Sequence, residues 1–105
     1  DKFWHDRKGA AMNAIRTRAL IGEADIVVVR FGDKFRQWNA AYDAGVAVAL
    51  GKSLITLHDE PLDHALKEVD AAASAVCRRT EQVVATLRYV ILGQLDKELG
   101  DIAAN

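Results

Sequence analysis

The chain is short of the residues that mark special architectures. Its 105 residues include one cysteine, one proline and one methionine. A lone cysteine, Cys77, makes no internal disulfide. The three histidines, His5, His58 and His64, share no recognised metal-ligand spacing. Net charge is -1, so there is no broad basic field to attract nucleic acid or anionic lipid. The longest apolar stretch, Ala44 to Leu50, falls far short of the roughly 20 residues that span a bilayer. No G-x-G-x-x-G follows a strand, and no phosphate loop or G-x-S-x-G elbow is present. Repeats, low-complexity tracts and linkers are absent as well. The default expectation is a cytoplasmic, disulfide-free protein.

What remains is ordinary globular material. Half of the chain is apolar and 28% is charged. That suits one modest core, so residues 1–105 are expected to form a single α/β domain. Residues 6–21 read as a helix with Met12, Ile15 and Ala19 on an apolar stripe and Gly22 closing it. Asp25 to Arg30 is a β-branched run without alternation, the mark of a strand covered on both faces. Residues 31–37 form a polar loop. Trp38 to Leu50 is an alanine-rich helix stopped by Gly51, and Ser53 to His58 is the next strand. Pro61 suits the first turn of a short helix reaching Val69. Ala72 to Cys77 reads as a third strand. Thr80 is the expected N-cap of a last helix, with Val83, Val84, Leu87, Val90 and Ile91 inward. Such alternation implies a parallel sheet with right-handed crossovers. Three strands make a thin sheet, and the first strong element is a helix. An N-terminal strand is therefore expected beyond this chain, which then holds the C-terminal part of a slightly longer domain.

The densest information lies between Ala24 and His58. Strand, polar loop, helix, glycine and strand follow in that order, which sets Asp43 just outside the C-terminal end of a parallel strand. Open α/β sheets bind ligands at that edge. Asn39, Tyr42 and Asp43 stand at i, i+3 and i+4 and share a helix face. Near a helix N-terminus a carboxylate tends to stay ionised, which suits a nucleophile. An acid early in a helix also commonly does no more than stabilise it. A second polar stripe, Gly9, Asn13, Arg16 and Thr17, could grip ribose or phosphate. Arg30 and His58 end their strands at the same sheet edge. Trp38 could stack on a base or cap the core.

Two patterns carry a family resemblance. Gln37-Trp38-Asn39, then Ala41, Asp43-Ala44-Gly45 and Ala49-Leu50-Gly51-Lys52 match the YtoQ-like Q-W-N-x-A-x-D-A-G followed by A-L-G-K. Asp6, Lys8-Gly9-Ala10, Asn13 and Arg16-Thr17 match its D-x-K-G-A-x-x-N-x-x-R-T. The chain thus resembles the YtoQ family, within the nucleoside 2-deoxyribosyltransferase-like fold. Against the deoxyribosyltransferase motif D-x-G-T-x-x-E-x-G-x-A, followed by G-K-P, Asp43 falls on the glutamate that attacks the anomeric carbon. Gly45, Ala47, Gly51 and Lys52 match, whereas Gln37, Asn39 and Ala40 replace an aspartate, a glycine and a threonine, and Asp43 itself is one methylene shorter than the glutamate.

The resemblance implies a flavodoxin-like three-layer sandwich and an enzyme that cleaves or transfers an N-glycosidic bond of a nucleoside, nucleotide or related ribosyl compound. Asp43 would be its nucleophile or charge stabiliser, helped by Tyr42. Trp38, Asn39, Gln37, Asn13, Arg16 and Arg30 would bind substrate. No metal or organic cofactor is implied. The expected partners are a small nucleoside- or nucleotide-like molecule and further copies of the chain, not nucleic acid or a membrane. Rival expectations are a non-catalytic ligand-binding domain of the same fold, and a structural oligomeric protein.

Overall fold

Three consecutive β-strands lie side by side in chain order and parallel, each joined to the next by a crossover on one face of the sheet. The computed structural model describes residues 2–32 and 38–104. The elements are α1 (Lys2–Glu23), β1 (Ile26–Arg30), α2 (Trp38–Ala49), β2 (Ser53–Leu57), a 3-10 turn (Glu60–Leu62), α3 (Lys67–Ala71), β3 (Ala75–Cys77) and α4 (Thr80–Leu92). A second 3-10 turn (Lys97–Asp101) leads into β4 (Ala103–Ala104). β4 pairs antiparallel with β3, so the tail adds a fourth strand that the sequence reading did not foresee.

The period-2 alternation of the strands sorts the core into two layers. Val29, Phe31, Leu54, Ala73 and Val76 pack with Ala44 of α2, and Leu66 and Val69 join them from around α3. Ile55, Leu57, Ala75 and Cys77 pack on Val83 of α4. Helices therefore cover both faces, and the fold is a flavodoxin-like three-layer α/β sandwich. Central β2 is buried from Leu54 to Leu57, which explains its nearly continuous apolar sequence.

The α2–β2 turn follows directly from Gly51. Its φ of 75° is open to glycine and costly for residues with a Cβ. Gly51 N–H donates to Val48 O at 3.0 Å and Lys52 N–H to Ala47 O at 2.9 Å, the paired bonds of a Schellman motif. Lys52 Nζ then donates to Gly22 O at 3.0 Å, tying the end of α1 to this turn.

Four expectations need correction. Thr80 is the first residue of α4, not its cap; Arg79 is the N-cap. That shift places Gln82 at the third helical position, where its Oε1 accepts from Arg78 N–H at 2.7 Å and Arg79 N–H at 3.2 Å. Val83 and Leu87 face the core as expected, with Gln82 and Ala85 beside them, while Val84, Val90 and Ile91 are exposed. β3 is shorter than expected, because α3 runs through Ala71 and Ala72 caps it. Finally, α1 continues through Gly22 to Glu23, and its stripe faces outward. Met12 and Ile15 are 69% and 64% exposed.

Candidate functional site

α1 and α2 lie against each other, and the surfaces they turn together are polar or small. Asp6, Ala10, Asn13, Ala14, Thr17 and Arg18 of α1 face Asn39, Tyr42 and Asp43 of α2 across a cleft of about 450 Å³. Spacings of three and four residues make each set one helical stripe. The best-covered residues on this side of α1 are Ala14, Thr17 and Ile21, while Asp6, Asn13 and Arg18 beside them stay exposed. The alanines clear the floor of the cleft, and the polar tips line it.

Asp43 is half-buried there. It lies in the second turn of α2, where the end-of-helix dipole has faded. Burial pushes its carboxyl above the ordinary value, opposite to the dipole expectation. A desolvated carboxylate is a stronger base and nucleophile once ionised. Tyr42 is 59% exposed and Asn39 is exposed, so both can meet a ligand.

Of the expected site residues, the fold gathers Asn13, Asn39, Tyr42 and Asp43 in this cleft. Arg16 is exposed and does not line it; Arg18 does. Trp38 is 70% exposed and also lies outside the lining. Arg30 lines a different cleft, described next. Gln37 falls outside the described residues.

The second cleft, about 230 Å³, sits at the C-terminal ends of the parallel strands. Arg30, Phe31, His58, Asp59, Arg78 and Arg79 are among its lining residues. A connected polar network underlies it. His58 is buried, with its Nε2 2.7 Å from Asp70 Oδ2 and its Nδ1 2.9 Å from Asp59 O. Thr56, fully buried on the same strand face, donates to Asp70 Oδ1 at 2.9 Å. The Phe31 ring meets the His58 ring edge-on, with centroids 6.2 Å apart. Arg78 grips both oxygens of Asp63, at 2.5 and 2.8 Å, and this holds the Asp63 carboxyl below its usual range.

Candidate ligand atoms of His58, Asp63 and Asp70 lie within 4.8 Å of one another, close enough to gather on a cation. Each is already engaged, however. Arg78 takes both Asp63 oxygens, and Thr56 and His58 take those of Asp70. The arrangement ties α3 to β2 and the Arg78 loop without needing an ion. Sequence reasoning missed it. The available signal was period 2: Thr56 breaks the apolar run Leu54–Leu57, and His58 follows two positions on, just past the strand.

The fold and the cleft define a class: an open α/β sandwich with a carboxylate-bearing polar cleft between its first two helices. The family follows from the comparisons. Residues 1–91 match the family model described as nucleoside 2-deoxyribosyltransferase YtoQ, and the chain belongs to that family. A relative from Bacillus subtilis (strain 168), described as uncharacterized protein YtoQ, is 40% identical over 85 residues. The match covers 81% of this chain and 57% of the relative, so the chain spans little more than half of that protein's length.

Proposed function

We propose that this chain carries the carboxylate side of a site that cleaves or transfers the N-glycosidic bond of a nucleoside, nucleotide or related ribosyl compound. The observation behind this reading is Asp43, a half-buried carboxylate with a raised carboxyl pKa, aimed into a polar cleft that no apolar packing explains. Asp43 attacks the anomeric carbon or stabilises an oxocarbenium-like transition state. Tyr42 and Asn39 orient it, and Asn13 contacts the sugar. The family description points to the same bond.

The test uses the full-length chain with a panel of nucleosides and 5′-nucleotides, following free base by chromatography. Asp43→Asn should cut base release at least about 100-fold, since the neutral amide keeps the shape but neither attacks nor offsets the developing positive charge, and losing one such stabilising group costs about that much. Release that survives the substitution sinks the proposal.

One observation favours a second reading. Asn39 and Ala40 stand where the deoxyribosyltransferase motif has glycine and threonine. A non-catalytic binding domain would keep the cleft and lose the reaction. Ligand-dependent stabilisation without any base release would support it. Assembly into homo-oligomers belongs to the same proposal, and light scattering checks it.

A further inference from the structure

The charged groups of the α1–α2 cleft are not paired with one another. Asp6, Asp43 and Arg18 all line it, yet among the described residues no ion pair joins Arg18 to either acid. The hydrogen bond recorded for Arg18 runs from its Nε to Ala14 O of its own helix, at 3.4 Å. Its two terminal nitrogens stay available. A cation and an anion that share a cleft but do not neutralise each other are suited to a ligand that comes between them. Arg18 offers the planar fork that matches phosphate oxygens in pairs, and Thr17 beside it adds a hydroxyl. Asp6 does not cancel that charge. It lies twelve residues along the same helix, roughly 18 Å at about 1.5 Å per residue. That exceeds the screening length of about 8 Å at physiological salt. About 450 Å³ is within the range of small-molecule sites.

We infer that Arg18 anchors an anionic group of the ligand, so that the cleft takes a phosphorylated ribosyl compound in preference to its unphosphorylated form. This rests on the ribosyl reading of the cleft given above. Arg18 is then the residue that sets specificity, and Arg16, its neighbour in sequence, is not.

Binding of ribose 5-phosphate and of ribose to the full-length chain, measured by calorimetry, tests this. Ribose 5-phosphate should bind at least about tenfold tighter, as a charge-assisted bidentate contact provides. Arg18→Met should erase the difference and Arg18→Lys should keep part of it. Arg16→Met should leave it intact. Both arginines are exposed, and melting curves of each variant confirm an intact fold. Equal binding of the two sugars, binding of neither, or a preference unchanged in Arg18→Met overturns the inference. The two readings fail separately. Asp43-dependent base release without any phosphate preference refutes only the role of Arg18. Arg18-dependent phosphate preference without base release refutes only the glycosidic chemistry.

Discussion

Asp70→Ala is the sharpest test of how the strand ends are held. The Asp70 carboxylate serves two fully enclosed partners, the Thr56 hydroxyl and the His58 ring. Alanine strands both. Leaving a buried polar group unsatisfied costs about 1–3 kcal/mol. Asp70 itself is partly exposed, 16% at its side chain, so water replaces some of the loss. The expected total is about 2–4 kcal/mol, or a fall in Tm of roughly 15 °C for a domain of this size. Asp70→Asn should behave differently. Its amide oxygen still accepts from Thr56, and its NH2 donates to His58 Nε2. The His58 Nδ1–H then donates to Asp59 O. The Thr56 hydroxyl and the His58 ring both keep a partner, and the cost should drop to about 1 kcal/mol. Urea denaturation of both variants beside the parent measures this. An alanine variant within about 0.5 kcal/mol of the parent would refute the network as a determinant of stability. An amide variant as costly as alanine would refute the donor and acceptor assignment.

Two further outcomes follow from the same geometry. Gln82→Ala removes the acceptor of the Arg78 and Arg79 amides and empties a fully buried site, so it should lower stability by about 2 kcal/mol in urea titration, as a lost cap with a small cavity does. Asp63 titrates lower in the folded chain, through its hydrogen bonds from Arg78, so the unfolded chain takes up that proton first as pH falls. Its contribution is present above the ordinary carboxylate range and is lost below about pH 4; melting curves from pH 5 to 2 should therefore fall less steeply in Asp63→Asn than in the parent. Asp43 acts with the opposite sign, because its raised folded value makes ionisation unfavourable to the fold as pH rises through it.

The middle of the fold was legible because local chemistry decided it. β-Branched residues from Ile26 to Val29 leave little but a strand, and Gly51 supplies the one backbone conformation that ends α2 there. The faces of α1 were not legible. Its sequence offers two stripes, one apolar through Met12 and Ile15, one polar through Asn13 and Thr17. Only the packing of α2 decides which side meets it: the line Ala14, Thr17 and Ile21 is covered, with Asn13 at the rim of the cleft, and the Met12–Ile15 stripe faces away. The exchange of Arg16 for Arg18 has the same origin, since residues two apart point to nearly opposite sides of a helix and the cleft meets the side that carries Arg18. The α4 start went astray because threonine is the better cap by propensity, while Gln82 supplies the actual acceptor from inside the helix. The Thr56–His58–Asp70 chain joins residues 14 and 12 apart across a crossover, a distance no local pattern encodes.

Among the described residues the sheet is finished on one side only. β4 and the tail, held by the contact of Arg79 with Glu98 at 2.6 Å, occupy the outer edge of β3. β1 pairs with β2 alone among the described residues, and its Val28 is 41% exposed. Its outward amides and carbonyls therefore form an unused ladder of about five residues, open to any extended segment of suitable register. That ladder belongs to the strand that leads into the helix bearing Asp43.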